Sequence, residues 1–405
     1  MSGFSIMISG NTLNFWLSKE NIDIQIIGIF AIVSLPYAIN FIWTPIFDIK
    51  KIPILYNILG QRLSWILCIQ SLLALAVYMM SMLDPSHDLM QVAIFGFLIS
   101  LFASAQDSIL GALRTEIVPK DQQGVISGMY ILGYRIGMLL SGSVAIYISQ
   151  YVSWNSVYQI FVIAIIVFSI LLIAFLRDSN SKTEKEKTVF KSDEELPLLR
   201  LVRLISKIIK PIGSVKYIIF TLTFLILYRL PDNFITTMIN PFLIHIGYNE
   251  FEISTAGKSF GILSAIIGGF MASYIMKRRS IFDSLLIFGI IHAVSHMLFI
   301  VQELYGKNIY LLFIVTGFES VSGGMSMAAY IAFIASLCHG KFRATQYAFF
   351  SSMMGLSRSI FPTISGYIAA SYGWVWFYLL TTIVTIPSLI IILYLRKMNA
   401  RANKI

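Results

Sequence analysis

Charge is scarce in this chain. Aspartate, glutamate, lysine and arginine make up 12% of its 405 residues, whereas hydrophobic residues make up 57% and the mean hydropathy is +0.79. Soluble domains carry roughly 25% charged residues. So few charges cannot coat a water-facing surface, and the composition therefore indicates an integral membrane protein.

Several signatures of chemistry are also missing. The two cysteines, Cys68 and Cys338, lie in separate apolar runs and predict neither a disulfide framework nor a metal site. The Gly-Lys-Ser sequence at 257–259 lacks the earlier glycine of a phosphate-binding loop, because Glu252 stands there. No nucleophile lies near a base in the pattern. We therefore expect no metal, no cofactor and no enzymatic activity.

Long apolar runs are abundant. A helix that crosses the hydrocarbon core needs roughly 20 mostly apolar residues, and helices satisfy their own backbone polar groups in lipid. The predicted spans are 1–17, 24–46, 63–83, 88–113, 123–148, 154–176, 215–240, 254–276, 283–301, 310–337, 344–369 and 374–395. The expected fold class is an all-α polytopic membrane protein with about twelve transmembrane helices.

The first predicted span is short and polar. Residues 1–17 reach only about 25 Å at 1.5 Å per residue, against a hydrocarbon core of about 30 Å. They also lack the basic start and the cleavage site of a signal peptide. We expect a short first helix here, explained either by a late chain start or by truncation. Its polar residues are Ser2, Ser5, Ser9, Asn11 and Asn14.

The basic residues are distributed unevenly between the loops. Of the 30 lysines and arginines, 24 fall on the side that carries both termini, whereas the opposite side has only Lys19 and Lys307. Basic loops face the cytoplasm, so both termini are predicted to be cytoplasmic. Because the net charge of +10 arises in these short loops, it does not indicate binding of nucleic acid.

The spans divide into two sets of six. We expect an N-terminal lobe over 1–176, a cytoplasmic linker over 177–214, a C-terminal lobe over 215–396 and a tail over 397–405. Basic residues recur at helical spacing over Leu196–Lys210. This pattern predicts an amphipathic helix on the inner leaflet, with a partner-binding helix as the alternative.

The two halves also resemble weak internal repeats. Gln123 precedes Arg135 by twelve residues in the fifth span, and Gln346 precedes Arg358 by twelve residues in the eleventh. Internal repeats of this kind are typical of secondary transporters.

Seven charged residues fall in the interiors of predicted spans, where each costs at least roughly 2.5–3.5 kcal/mol. Spans three, six, nine and twelve carry none in their interiors, which favours a cavity lined by the other helices. The four bases and three acids leave one positive charge in excess and predict an anionic substrate. The residues are Asp107, Arg135, Arg229, Asp232, Lys258, Glu319 and Arg358.

The acids in this set favour proton coupling. Asp107 and Glu319 can each take up a proton, since burial raises the pKa of a carboxyl group. Asp232 follows Arg229 by three residues on one helix, so a structural ion pair is an equal alternative there.

The bases have their own alternatives. Arg135 and Arg358 lie near mid-depth and are expected to contact substrate or to gate, or else to bond helix carbonyls. Lys258 lies close to the outer end of its span and can extend to the interface. His292 and His296, four residues apart in the ninth span, could share a metal or a proton. Because that span has no other polar partner, we favour filling of the helix face or weak hydrogen bonds.

Seven segments in order resemble one transporter family. They are ENID at 20–23, FIWTPIFD at 41–48, SAQD at 104–107, GYRIGM at 133–138, GKSFG at 257–261, FESVSGGM at 318–325 and ATQYA at 344–348. The likeness is to the AmpG-type muropeptide permeases of the major facilitator superfamily and, more distantly, to the acetyl-coenzyme A transporters. It covers nearly the whole chain.

The resemblance implies two six-helix lobes and import across the bacterial inner membrane, driven by protons. The implied substrates are anhydro-muropeptides, whose carboxylates suit a basic cavity. Asp48 and Arg62, with the intervening loop, resemble the cytoplasmic gating loop of the superfamily. The family commonly has a second acid four residues after the one that matches Asp107, whereas this chain has Gly111.

The sequence therefore predicts a proton-coupled importer of muropeptides or related anionic wall fragments. Its partners would be the solute, protons and membrane lipids. The alternatives are a transporter of another anionic or drug-like solute, and a membrane sensor or paralogue that no longer transports.

Overall fold

The computed structural model of the chain describes residues 2–117, 132–183, 215–338 and 343–402. Within these ranges every secondary-structure element is helical, as the fold-class prediction requires. The basic amphipathic helix predicted over Leu196–Lys210 lies outside the described residues.

The helices of residues 2–183 come first. They are α1 (Ser2–Ile8), α2 (Asn11–Lys19), α3 (Ile24–Ile29), α4 (Leu35–Ala38), α5 (Thr44–Ile49), α6 (Leu55–Met80), α7 (Leu89–Ile117), α8 (Ala145–Ile148) and α9 (Trp154–Thr183). Helical residues 132–138 and a π-helical turn at Leu139–Val144 run directly into α8.

The helices of residues 215–402 follow. They are α10 (Val215–Ile246), α11 (Glu250–Glu252), α12 (Phe260–Met276), α13 (Ile281–Tyr305), α14 (Ile309–Leu337), α15 (Arg343–Ser359) and α16 (Ser365–Ala402). A π-helical segment at Ile253–Ser259 joins α11 to α12, and a 3-10 turn at Phe361–Ile364 joins α15 to α16.

Eight helical stretches of the described chain are long and apolar enough to cross a membrane. They are Leu55–Met80, Leu89–Gly111, Trp154–Phe175, Val215–Ile246, Glu250–Met276, Ile281–Tyr305, Ile309–Leu337 and Phe349–Asn399. Two shorter apolar stretches, Ile24–Ala38 and Leu132–Ile148, fall at the second and fifth predicted spans.

The stretch Phe349–Asn399 covers the eleventh and twelfth predicted spans together. Gly373 separates them, because its backbone at φ 78° and ψ 170° is not helical. A positive φ costs a residue with a side chain but not glycine. Gly60, at φ 77°, breaks α6 in the same way, and the helix there begins before the predicted start at residue 63.

The chain forms two compact units. The first comprises Met1–Asp23, Phe30–Phe190 and Asn249–Ser254, and the second comprises Ile24–Ile29, Lys191–Tyr248 and Thr255–Ile405. Residues 24–29 belong to the second unit because α3 contacts the start of α16, where Gly28 and Gly366 allow their backbones to meet. The predicted lobes at 1–176 and 215–396 stay a prediction.

The polar first span has a structural reason. It consists of α1 and α2, separated at Gly10, and most of its side chains are buried within the first unit. Ser100 Oγ donates to Ser9 Oγ at 2.8 Å, and Thr12 Oγ1 donates to the Ser141 carbonyl at 2.6 Å. The hydroxyls therefore bond neighbouring helices instead of facing lipid.

Glycines bring α12 and α14 together in the second unit. A Cβ atom at Gly268 would overlap the carbonyl oxygen of Val321, and one at Gly324 would overlap that of Ala265. Small residues allow membrane helices to approach to backbone contact. This packing fixes the position of α14, which carries Glu319.

Candidate functional site

Charged side chains converge in the second unit, beginning on α10. Arg229 and Asp232 form an ion pair one turn apart, with side chains 12% and 15% exposed. The three-residue spacing predicted this pair, and the structure confirms it as a contact. The Nε atom of Arg229 is buried and has no hydrogen-bond partner in the described part of the chain.

His292 on α13 faces this pair. Its Nε2 atom lies 3.7 Å from Asp232 Oδ1 and 3.9 Å from Glu319 Oε1 on α14. Nε2 is buried without a hydrogen-bond partner among the described residues. The interpretation from the sequence considered partners within the ninth span alone, whereas the structure places carboxylates from two other helices beside His292.

Glu319 is held from its own helix and from a neighbouring one. Ser320 Oγ donates to Glu319 Oε2 at 3.0 Å. Lys258, in the π-helical segment before α12, interacts electrostatically with the Glu319 carboxylate. Gly323 leaves room for the approach, because a Cβ there would lie 3.4 Å from His292 Nε2.

Buried tyrosines tie together the helices that carry this cluster. Tyr228 donates its hydroxyl to the Leu285 carbonyl on α13 at 3.0 Å. Tyr330 on α14 donates to the Leu225 carbonyl on α10 at 2.9 Å. Since each phenol satisfies a carbonyl on another helix, α10, α13 and α14 are fixed next to one another.

The geometry alone would also admit a metal ion. One ligand atom each from Asp232, His292 and Glu319 lies within 4.8 Å of the others. Arg229 and Lys258 already neutralise the two carboxylates, so a divalent ion would leave the cluster with two uncompensated positive charges. We therefore assign no metal to this cluster.

In the first unit, Asp107 is the counterpart of this cluster. It is half-buried on α7, and Ser2 Oγ donates a hydrogen bond to its Oδ1. Gly111 lies one turn further along, and a Cβ there would meet no atom of the described residues within 4 Å. The position thus has room for the second acid of the resembled family.

Arg135 is half-buried in the helical residues 132–138, in the first unit. The helix that carries it contacts α1 closely, since a Cβ at Gly137 would lie 2.7 Å from the Phe4 nitrogen. Its repeat counterpart Arg358 is half-buried near the end of α15, in the second unit. The preceding residue Ser357 donates to the Ile226 carbonyl on α10 at 2.9 Å.

The candidate gating loop makes backbone contacts. The Gln61 amide donates to the carbonyls of Phe47 and Lys50, each at 3.0 Å. Arg62 donates to the Phe47 carbonyl at 3.4 Å. The side chain of Asp48 lies outside the described atoms, so its part in the gate stays a prediction.

The structure thus brings four of the seven predicted charges together, and His292 is the residue that the prediction missed. A depth count would have found it. Asp232, His292 and Glu319 each lie roughly 8 or 9 residues, or about 12–14 Å, from the predicted outer end of its span. Polar groups at one depth in three apolar helices can meet.

The fold and this buried charge define a multi-pass transporter of small solutes. The family model of the Major Facilitator Superfamily matches residues 1–315 and again 284–404. The chain belongs to the Major Facilitator Superfamily and is a secondary transporter. The eight long spans and the shorter apolar helices fit its twelve-helix fold, as predicted.

Individual relatives agree with this class. A Rickettsia bellii protein named "Putative transporter AmpG 1" is 54% identical over 98% of this chain and 96% of its own length. The anhydromuropeptide permease of Escherichia coli K12 is 28% identical over 98% of this chain and 78% of its own. These names are those of transporters, as expected for a chain predicted not to be an enzyme.

A solved structure supports the fold. A mutant of the nucleoside transporter NupG superposes with a TM-score of 0.63 over 97% of each chain, at 15% sequence identity. At that identity the likeness establishes the fold alone.

Proposed function

We propose that this transporter imports anhydro-muropeptides into the bacterial cytoplasm together with protons. The observation that carries the proposal is the charge cluster of Arg229, Asp232, Lys258 and Glu319 among apolar helices. Charged groups inside a membrane protein are costly and mark substrate or proton pathways. The name of the Escherichia coli relative supplies the substrate class.

The substrate's carboxylates would bind the interior bases. Arg135, Arg229, Lys258 and Arg358 outnumber the interior acids by one, so an anion restores neutrality. Guanidinium groups bind carboxylates through two parallel hydrogen bonds. Arg229 has a spare donor for this purpose, since its Nε atom has no bond within the described residues.

Protons would bind the interior acids. Asp107, Asp232 and Glu319 lie half-buried on three helices that span the membrane. Protonation of a carboxylate beside a cation releases that cation from its ion pair. Within the second unit, proton uptake by an acid would thereby make a base available to the substrate.

The proposal includes the placement of the chain. The excess of basic residues on one side supports a bacterial inner-membrane protein with both termini in the cytoplasm. The proposal also includes lobes at 1–176 and 215–396, joined by a linker over 177–214 and followed by a tail over 397–405. Asp48 and Arg62 would gate the cytoplasmic side.

The test is uptake of labelled N-acetylglucosaminyl-anhydro-N-acetylmuramic acid by cells that lack their own permease. We expect accumulation above the external concentration and its collapse when a protonophore is added. Binding without accumulation would identify a sensor. Absence of both, with the protein present in the membrane, would point to another solute.

A matched pair of arginine variants tests the site. Arg135→Gln removes a charge from inside the protein and should lower uptake. Arg279→Gln removes one from an exposed loop and should not. Equal uptake by the two variants would refute a role for Arg135 in substrate binding.

A further inference from the structure

We propose that His292 is the proton-binding residue of the second unit, and that its proton is matched by a carboxylate of the substrate. This inference rests on the proposed function. It adds a residue that is not part of the predicted pathway and states why a proton and an anion would bind together.

The first step is the position of the imidazole. His292 Nε2 lies between two carboxylate oxygens, 3.7 Å from Asp232 and 3.9 Å from Glu319, and its side chain is 6% exposed. Neither distance is a hydrogen bond. Since the atom has no other hydrogen-bond partner in the described chain, a buried polar group faces two acceptors without bonding either.

The second step is what a proton would change. A protonated imidazole donates from both ring nitrogens. Nε2–H can then bond the carboxylate of Asp232 or of Glu319 by a shift of about 1 Å, to the usual charge-assisted distance of about 2.7–2.9 Å. His292 faces Asp232 Oδ1 while Arg229 pairs with Oδ2, so a protonated His292 would share the charge of this carboxylate with Arg229 and weaken the ion pair.

The third step is the charge balance. With His292 neutral, the charges of Arg229 and Lys258 offset those of Asp232 and Glu319. A proton on His292 leaves one positive charge in a buried site, and buried charge is unfavourable unless it is paired. One carboxylate of the substrate at Arg229 would restore neutrality, so the proton and the anion stabilise each other there.

The surroundings contain other titratable and charged groups. They are Arg229 and Asp232 on α10, Lys258 before α12, Glu319 on α14, His296 on α13 and Tyr378 on α16. His296 lies with its ring 4.7 Å from that of His292, measured between centroids. Among the described contacts it meets neither carboxylate, so it serves as the matched control.

The first experiment measures transport in proteoliposomes with the same labelled disaccharide. His292→Gln keeps a hydrogen-bonding side chain of similar reach but cannot change its charge. We expect it to lose accumulation driven by a pH gradient, so that the internal concentration only equals the external one. It should still exchange labelled for unlabelled disaccharide, because exchange needs no net proton movement.

His296→Gln should accumulate the disaccharide like the unaltered protein. Proton-driven accumulation in His292→Gln would overturn the inference while leaving the proposed function intact. If a folded His292→Gln protein loses both exchange and accumulation, the inference is also overturned, because the residue would then serve substrate binding.

A second measurement needs no substrate. Nuclear magnetic resonance of the full chain, with isotope-labelled histidine and in lipid nanodiscs, should distinguish the protonated from the neutral form of each imidazole across about pH 5 to 8. The inference expects a protonated form of His292, whose signal is identified by its disappearance in His292→Gln. If His292 binds a proton while the unaltered protein takes up no disaccharide, the proton-binding role of His292 is supported and the proposed function is refuted. A His292 signal that stays neutral over this range, or that responds to added Zn²⁺ instead of pH, would refute the inference.

Discussion

At the scale of single residues, Asp107 has the simplest test. Its carboxylate accepts a hydrogen bond from Ser2 on the neighbouring helix. Asp107→Asn keeps the shape and one acceptor oxygen but cannot take up a proton. We expect proton-driven uptake to fall to background at unchanged abundance in the membrane.

Ser100→Ala, on the same helix, is the control for this prediction. It removes only the hydrogen bond to Ser9 and should leave uptake near its original level. Uptake by Asp107→Asn at the original rate would exclude Asp107 from the proton pathway.

Gly111 allows a gain of function to be tested. The site has open space for a side chain, so Gly111→Asp would place a second carboxylate one turn from Asp107. Two carboxylates at this distance disfavour each other's ionisation. The protonated form then persists to higher pH, so the pH profile of uptake should shift towards alkaline values.

Gly111→Ala fills the same space without charge, and its pH profile should match that of the unaltered chain. An identical shift in both variants would attribute the effect to packing instead of to the carboxylate.

The residue scale also shows where sequence reasoning stops. The pairing of Arg229 with Asp232 could be predicted because both lie on one helix, where spacing determines contact. The approach of His292 to Glu319 depends on how α13 packs on α14. That packing arises from side chains elsewhere, including the Tyr228 bond to Leu285.

At the scale of helices, the contact between α12 and α14 gives a stability prediction. A methyl group at Gly268 would overlap the Val321 carbonyl oxygen, whereas the adjacent Gly269 has open space. Gly268→Ala should therefore destabilise the protein by about 1–3 kcal/mol through overpacking. Gly269→Ala should be neutral or slightly stabilising.

The measurement is the thermal midpoint of each purified variant in the same detergent. Equal midpoints for the two adjacent substitutions would mean that α12 and α14 are not in backbone contact at Gly268. If Gly268→Val is also as stable as the unaltered protein, α12 and α14 are not in backbone contact at Gly268.

Hydropathy predicted the long helices better than the broken ones. The eight stretches that meet the length criterion match predicted spans, because transfer into lipid depends on summed apolar surface. The first span divides at Gly10, and the eleventh changes to a 3-10 turn at Phe361–Ile364. Such breaks depend on backbone geometry and on contacts within the unit, which average hydropathy does not register.

At the scale of the whole molecule, the distribution of charge links fold to function. Lysine, arginine and acidic residues are missing from the interiors of the third, sixth, ninth and twelfth predicted spans. The ninth nevertheless contributes to the charge cluster through His292 on α13. A histidine that is neutral can be inserted into lipid at lower cost than a permanent charge, and can acquire one inside the folded protein.

The last prediction concerns orientation in the membrane. It is clear-cut because the basic residues are distributed so unevenly between the loops on the two sides. The chain has only Cys68 and Cys338, so both can be replaced by serine to give a cysteine-free background. Lys307→Cys then places a thiol in an exposed loop on the predicted outer side, and Arg278→Cys places one in an exposed loop on the predicted inner side.

A membrane-impermeant maleimide should label Lys307→Cys in intact spheroplasts, and Arg278→Cys only after lysis. The reason is the cost of moving basic loops across the membrane, which retains them in the cytoplasm during insertion. The reverse labelling would refute the predicted orientation. A symporter moves the proton and the anion in the same direction, so the inward proton gradient would drive import in either orientation, and only the loops that face each side would exchange.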